Sequence, residues 1–63
     1  MSTKKQRKAV FDQIDKVIAL ELRVERTYTD LTRTNDQNEA LRDELRWQLS
    51  NEHSKMCSMI NEL

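Results

Sequence analysis

The sequence contains no glycine and no proline among its 63 residues. Glycine supplies the positive φ angles of tight turns, and proline ends helices, so a chain without either has few means of building a β fold or a loop-based active site. What remains is a helical chain, interrupted only where Asn, Asp, Ser and Thr cluster. We therefore predict an all-α protein.

Cysteines and aromatic residues are also scarce, with Cys57 the only cysteine and one residue each of Trp, Tyr and Phe. A single cysteine excludes an internal disulfide, and an unpaired thiol fits a reducing cytoplasm, where we expect the protein to reside. A chain of 7.5 kDa has little surface to bury, so we expect it to gain stability by association with itself.

Long hydrophobic runs are absent as well. The longest uncharged apolar run covers only residues 17–20, whereas a membrane-spanning helix needs about 20 apolar residues. We expect no membrane partner. The net charge is zero but uneven, at +4 over residues 1–8, −1 over 9–34 and −3 over 35–63. A weak net field of this kind argues against general binding of polyanions.

A seven-residue apolar repeat runs through the first half of the chain. Its positions alternate by four and three residues and are Val10, Ile14, Val17, Glu21, Val24, Tyr28 and Leu31. Further apolar residues, Phe11, Ile18, Leu20 and Leu22, widen this stripe to roughly half the helix surface. So broad a stripe predicts contact with more than one neighbouring helix.

The repeat fails at the polar cluster of residues 32–38. Thr34-x-x-Gln37 within it matches a helix-start capping box, and Asn35 could adopt the left-handed conformation that ends a helix. A second helix is predicted beyond the cluster. Its apolar face consists of Leu41, Leu45, Leu49, Glu52, Met56, Met59 and Leu63, with Ile60 beside them.

Folding the chain back at Thr34 and Asn35 aligns nearly every apolar layer. The predicted partners are Leu31 with Asn38, Tyr28 with Leu41, Val24 with Leu45, Val17 with Glu52, Ile14 with Met56, and Val10 with Met59. We therefore predict an antiparallel two-helix hairpin that associates as a homodimeric four-helix bundle. The alternative is a long parallel coiled coil, in which Asn38 would continue the first heptad and fix the register.

The predicted domain organisation has a basic tail and one helical domain. Residues 1–8 form the tail, and residues 9–63 form the hairpin, with helix 1 at about 9–32, a turn at about 33–36 and helix 2 at about 37–62. The predicted oligomer core consists of Val10, Ile14, Val17, Ile18, Val24, Tyr28, Leu31, Leu41, Leu45, Leu49, Met56, Met59 and Ile60.

Two acidic residues, Glu21 and Glu52, interrupt the apolar stripes and are expected to form a polar layer that fixes register. A carboxylate metal site would need Glu-x-x-His on one face, whereas Glu52 and His53 are adjacent and point about 100° apart. We expect no metal and no cofactor. His53 and Cys57 lack a loop that could stabilise a reacting oxyanion, so we predict that the protein is not an enzyme.

The basic cluster of Lys4, Lys5, Arg7 and Lys8 is a possible nucleic-acid contact. It contains no aromatic residue, and positive charge at a helix amino end opposes the macrodipole. We therefore expect the cluster to form a solvated tail.

Trp47 lies opposite the leucine stripe of the second helix. Ala40 and Ser54 share its face at seven-residue spacing, with Ser50 alongside. Small neighbours around a large ring make a flat platform, and tryptophan is enriched at binding hot spots. The four residues are predicted to bind a partner protein; the alternative is that they form a second packing face within the oligomer.

In length and hairpin pattern the chain resembles the small helical regulators and accessory proteins of phages and plasmids, including Rop-type hairpin dimers. The resemblance implies a four-helix bundle but includes no residue motif. The outer face of helix 1 mixes cations with Asp12, Asp15 and Asp30, so the RNA binding of Rop-type proteins is not transferred.

We predict a small non-enzymatic regulatory or accessory protein, phage- or plasmid-encoded, that contacts a host or phage protein. The alternatives are a nucleic-acid regulator that uses the basic cluster, and a structural oligomerisation element.

Overall fold

The computed structural model describes residues 3–63, which form two α-helices joined by one loop. Helix α1 spans Lys4–Arg26 and helix α2 spans Asn35–Asn61. The helices pack against each other and run antiparallel, since Gln13 contacts Glu52 while Asp30 contacts Asn38. The predicted all-α hairpin is confirmed, and the continuous rod is wrong because the chain reverses direction between the helices.

Helix α1 begins at Lys4, earlier than the predicted start near residue 9. Thr3 is the N-cap: its hydroxyl accepts the Gln6 main-chain N–H at 3.1 Å, and the Gln6 side chain accepts the Thr3 N–H at 2.7 Å. This capping box satisfies two amides that would otherwise lack a partner. The basic cluster is therefore helical and not a frayed tail; residues 1 and 2 of the predicted tail lie outside the described residues.

Helix α1 ends at Arg26, before the predicted limit of 32, and the loop is correspondingly longer. The Thr27 hydroxyl donates to Val24 O at 2.6 Å. This side-chain hydrogen bond gives the last turn of α1 a partner for a carbonyl that no further helical amide follows. Across the loop, Asp30 accepts the Thr32 main-chain N–H at 2.9 Å. No residue in the described range has a positive φ, so the expected left-handed Asn35 is wrong; Asn35 is the first residue of α2.

Helix α2 starts where the predicted capping box places it. Thr34 Oγ1 accepts the Gln37 N–H at 3.1 Å, and Gln37 Oε1 accepts the Thr34 N–H at 3.0 Å. Asn38 follows in the first turn and donates through Nδ2 to Asp30 O at 2.9 Å. The start of α2 is thereby tied to the loop.

Contacts between the helices agree with the predicted register to within one helical turn. Arg42 Nε donates to Thr27 Oγ1 at 2.9 Å, next to the predicted pairing of Tyr28 with Leu41. The Arg42 guanidinium also lies 3.8 Å from the centre of the Tyr28 ring, a cation–π contact. Arg46 donates to the Tyr28 hydroxyl. These contacts hold the loop end of the hairpin closed.

The core of the single hairpin is small. Among the described residues the buried hydrophobic side chains are Val10, Val17, Leu20 and Leu45. Six predicted core residues are half-buried: Ile14, Val24, Leu41, Leu49, Met56 and Met59. Four others are exposed in the single chain: Ile18, Tyr28, Leu31 and Ile60. Leu31 lies in the loop and is 97% exposed.

The face of α1 that meets α2 is rotated relative to the predicted stripe. Val10, Val17 and Val24 belong to both patterns. The other buried positions are Gln13, Leu20 and Thr27, where Ile14, Glu21 and Tyr28 were expected. A helix turns by about 100° per residue, and averaged over these positions the buried face is rotated by about 40° from the predicted stripe. Phe11, Ile18 and Leu22, on the other side of the predicted stripe, are therefore left exposed.

Neither helix combines the length and the hydropathy needed to cross a bilayer, in the part of the chain that the structure describes.

Candidate interaction site

Trp47 lies at the rim of a groove between the two helices. Its side chain is 69% exposed, and the groove beside it has a volume of about 400 Å³. We call this cavity the tryptophan groove; its lining residues are Lys16, Ala19, Leu20, Arg23, Trp47, Gln48, Asn51 and Glu52. One wall therefore comes from α1 and the other from α2.

The predicted neighbours of Trp47 share its face of α2 but do not line the groove. Ala40, Ser50 and Ser54 are all exposed on α2, and none of them lines the tryptophan groove. The residues of α1 that line the groove together with Trp47 include Ala19 and Arg23. The spacing of residues on α2 can identify only the neighbours of Trp47 on that helix. Which residues of α1 form the other wall of the groove depends on the register of the hairpin.

Glu52, which lines the tryptophan groove, is the centre of a polar cluster. Gln13 Nε2 donates to Glu52 Oε2 at 2.6 Å and to Glu52 O at 2.9 Å, and Lys16 Nζ lies 3.5 Å from Glu52 Oε1. The Gln13 hydrogen bond and the charge of Lys16 hold the pKa of the Glu52 carboxyl below its ordinary value. Glu52 is therefore ionised at neutral pH.

The expected polar layer of Glu21 with Glu52 is wrong. Glu21 is exposed, whereas Gln13 is 6% exposed and takes the place opposite Glu52. The spacing that could have indicated Gln13 is its position between Val10 and Val17, three residues after one and four before the other. Gln13 is polar, so the spacing of apolar residues alone does not indicate it.

A second cavity of about 440 Å³ adjoins the loop. We call it the arginine pocket; its lining residues are Arg23, Arg26, Thr27, Thr29, Asp30, Arg33, Leu41 and Leu45. Arg33 Nη1 lies 2.7 Å from Asp30 Oδ2. Hydrogen bonds from Thr32, together with Arg33, hold the pKa of Asp30 below its ordinary value, so this carboxylate is ionised and paired.

Arg23 lines both cavities, which makes the tryptophan groove and the arginine pocket neighbours. Over residues 3–63, neither Arg23 nor Arg26 takes part in an ion pair. Each acid at the cavity walls, by contrast, has a cation within 4 Å, Lys16 for Glu52 and Arg33 for Asp30. The combined surface therefore has an excess of positive charge beside an exposed indole.

A separate apolar surface lies on the outer side of α1. Phe11, Ile18 and Leu22 are 65%, 48% and 54% exposed, and their spacing places them within about 40° of one another on the helix. We call these three residues the apolar stripe. It points roughly 140° away from the mean direction of the four buried residues of α1, so α2 does not cover it. Ile60 and Leu63, at the other end of the chain, are also exposed.

The basic cluster lies next to the start of the apolar stripe. Lys4, Lys5, Arg7, Lys8 and Phe11 line one shallow surface. Lys8 Nζ is 2.9 Å from Asp12 Oδ2, an exposed pair one turn apart. Because residues 4–11 are helical, the Phe11 ring lies on the same surface as cations that precede it in the sequence by three to seven residues.

His53 and Cys57 are neighbours on α2, with Nδ1 and Sγ 3.8 Å apart. Their spacing of four residues places them together on any helix. Among residues 3–63, no three His, Cys, Asp or Glu side chains converge in a way that could hold a metal ion.

No protein-family model, curated protein or solved structure matches this chain.

Proposed function

We propose that this chain is a non-enzymatic interaction protein of regulatory or accessory type. Two hairpins associate through the apolar stripe as a four-helix bundle, and each presents Trp47 to a partner protein. The observation that carries the proposal is the imbalance between inner and outer apolar side chains. Four hydrophobic residues are buried in the described hairpin, while eight large hydrophobic residues are exposed.

The accessible surface supports association of two chains. It measures 5213 Å², whereas a compact folded monomer of 7.5 kDa exposes about 4,200 Å². A stable interface of standard size removes about 800 Å² from each partner. A second copy on the apolar stripe would therefore bring the exposed surface per chain close to that of an ordinary small protein.

The position of Ile14 supports a four-helix bundle. Ile14 is half-buried and lies between the buried face of α1 and the apolar stripe. The apolar positions thus span about half of the circumference of α1, interrupted by the exposed Glu21. Helices in a four-helix bundle touch two neighbours and need such a wide arc.

Trp47 supports the contact with a partner protein. It lies outside the apolar stripe, so a dimer built on that stripe leaves the indole accessible. A large exposed ring beside a groove is the type of residue that dominates binding energy at protein interfaces. We expect Trp47→Ala to weaken partner binding by roughly 2 kcal/mol or more, as truncation of a hot-spot residue does.

The proposal assigns no catalytic role to His53 and Cys57, because helical spacing alone accounts for their contact.

Quantitative capture from an extract of the native host tests the proposed function. Wild-type protein, Trp47→Ala and Arg7→Gln are immobilised at equal density, and bound proteins are quantified by mass spectrometry. A protein that the wild type and Arg7→Gln retain equally, and Trp47→Ala loses, supports the proposal. Equal retention by all three would contradict the role of Trp47.

The second candidate function is nucleic-acid binding through the basic cluster. The observation that favours it is the placement of Phe11 among four helical cations, since rings beside cations can stack on bases. Binding would fall steeply with added salt and disappear when Lys4, Lys5, Arg7 and Lys8 are all replaced by Gln. Binding that survived this replacement would rule out the cluster as the contact.

A further inference from the structure

The proposed contact at Trp47 does not explain the presence in the adjoining cavities of two arginines, Arg23 and Arg26, that are unpaired within residues 3–63. We infer that the tryptophan groove and the arginine pocket form one docking groove for an acidic segment of the partner protein. Arg23 and Arg26 receive carboxylates of that segment, and Trp47 packs against one of its apolar side chains. This inference rests on the proposed protein-binding function and adds the chemistry of the partner.

The two cavities form one path because Arg23 lines both. Lys16, Ala19, Arg23 and Arg26 follow each other along α1 at spacings of three and four residues, which places them on one side of the helix. From Lys16 to Arg26 this path measures about 15 Å at 1.5 Å per residue. An extended segment of about four to five residues covers that length.

The charges along this path favour a negatively charged occupant. Four cations line it, namely Lys16, Arg23, Arg26 and Arg33. The acids among the lining residues are Glu52 and Asp30, and the hairpin itself pairs both of them. Within the described range, Arg23 and Arg26 are left without an ion pair. Guanidinium groups bind carboxylates through two parallel hydrogen bonds, which gives both affinity and direction.

The helix macrodipole accounts for part of this arrangement but not for all of it. Arg23 and Arg26 lie in the last turn of α1, where cations are favourable in any helix. That effect does not require a cavity or an exposed tryptophan at the same place. The common border of both cavities at Arg23, beside Trp47, is what points to a ligand with an acidic and an apolar group.

Glu52 and Asp30 also discriminate between acidic occupants. They lie at opposite ends of the path, because Glu52 contacts Lys16 and Asp30 contacts Arg33. A nucleic-acid strand carries a charge on every phosphate, but at both ends of the path the cations are already paired with an acid of the hairpin. A protein segment can place its carboxylates at Arg23 and Arg26 alone, so charge complementarity favours a protein.

Trp47 is the only tryptophan, so its fluorescence reports on the groove directly. The probe is the peptide acetyl-Glu-Leu-Glu-Glu-Leu-Glu-amide, and the same peptide with Lys for Glu is the control ligand. We expect the acidic peptide to shift the emission of wild-type protein to the blue, with an affinity that decreases as salt is added. Arg23→Gln and Arg26→Gln should each weaken binding about tenfold, as expected for loss of a charge-assisted hydrogen bond.

Lys55→Gln is the control, since Lys55 is an exposed cation of α2 outside both cavities and outside the basic cluster. It should bind the acidic peptide as wild type does, and circular dichroism should show equal helix content in all three variants. Arg23→Lys keeps the charge but loses the paired hydrogen bonds, so its affinity should lie between those of wild type and Arg23→Gln.

Several outcomes would overturn the inference. They are an absent shift with the acidic peptide, an equal response to the Lys peptide, and wild-type affinity in Arg23→Gln. Arg23-dependent binding of an oligothymidylate in place of the acidic peptide would show that a nucleic acid occupies the groove. Loss of self-association in Arg23→Gln would show that a second copy occupies it.

The capture experiment separates this inference from the proposed function. If Trp47→Ala loses the captured protein while Arg23→Gln retains it, the protein-binding function stands, and the inference that an acidic segment binds Arg23 is wrong. If Trp47→Ala retains the captured protein, the proposed function itself fails.

Discussion

Gln13 joins the two helices at Glu52, with its Nε2 atom 2.6 Å from the carboxylate and 2.9 Å from the main-chain oxygen. The Gln13 side chain is 6% exposed, so water cannot readily replace these bonds. A buried polar group that loses its partner destabilises a fold. This pair therefore fixes the position of one helix against the other beside the tryptophan groove.

Replacement of Gln13 by alanine should destabilise the hairpin. The substitution removes both hydrogen bonds and buried side-chain contacts, and we expect the melting temperature to fall by about 4–8 °C, the effect of 1 kcal/mol in a domain of this size. Gln48→Ala is the control, because Gln48 is half-buried and lines the same groove. Equal effects of the two substitutions, measured by circular dichroism, would show that the Gln13 hydrogen bonds are unimportant.

Stability should decrease on acidification because Glu52 and Asp30 both have lowered pKa values. A carboxyl whose pKa is lower in the folded state stabilises the fold above its unfolded pKa. For Glu52 that contribution is complete above its ordinary value of 4.5 and is lost as the pH falls through the lowered folded value. Urea unfolding at several pH values below neutrality measures this loss.

Glu52→Gln should reduce this pH dependence, because the variant has no carboxyl at that position to protonate. Its amide oxygen can still accept from Gln13, so the fold is retained. Glu44→Gln, which replaces an exposed carboxylate of the same helix, provides the comparison. A pH profile of Glu52→Gln that matches wild type would refute the role assigned to Glu52.

Thr34→Ala should weaken the start of α2. The substitution removes the hydroxyl that accepts the Gln37 N–H at 3.1 Å, and loss of an N-cap costs about 0.5–2 kcal/mol. Thr29→Ala is the matched variant in the same loop, where the hydroxyl makes one long contact of 3.5 Å. Urea unfolding should show a larger loss for Thr34→Ala; an equal loss would mean that the capping box contributes nothing.

The sequence indicated the two helices and the hairpin through the spacing of apolar residues and the capping box at Thr34. The equivalent pattern Thr3-x-x-Gln6 favours a helix start at Lys4, whereas the positive charge of the basic cluster disfavours one at the same place. In the structure the helix starts at Lys4 despite these charges, because the capping box gives hydrogen-bond partners to main-chain amides of its first turn. Solvent reduces the unfavourable effect of exposed charges near a helix end.

The rotation of α1 could not be read from apolar spacing. Val10, Val17 and Val24 are common to both possible faces, and apolar content favoured the side with Ile14 and Tyr28. The structure buries Gln13 and Thr27 because each meets a polar group of α2, Glu52 and Arg42 respectively. Such pairs depend on the relative position of two helices.

The candidate site was only partly predictable for the same reason. The position of Trp47 opposite the leucines of α2 follows from helical spacing alone. The groove beside it requires Ala19 and Arg23 of α1, which are distant in sequence. Their approach depends on the rotation of α1 and on the register of the hairpin together.

Sedimentation equilibrium over a range of concentrations tests the central claim, that the apolar stripe joins two hairpins. We expect wild-type protein to have about twice the 7.5 kDa chain mass. Ile18→Gln combined with Leu22→Gln should shift the equilibrium to the single chain, because polar side chains replace the contact surface. Trp47→Ala removes an exposed hydrophobic residue outside the stripe and should remain dimeric. A single-chain mass for wild type at every concentration, or an unchanged dimer in the double variant, would contradict the account.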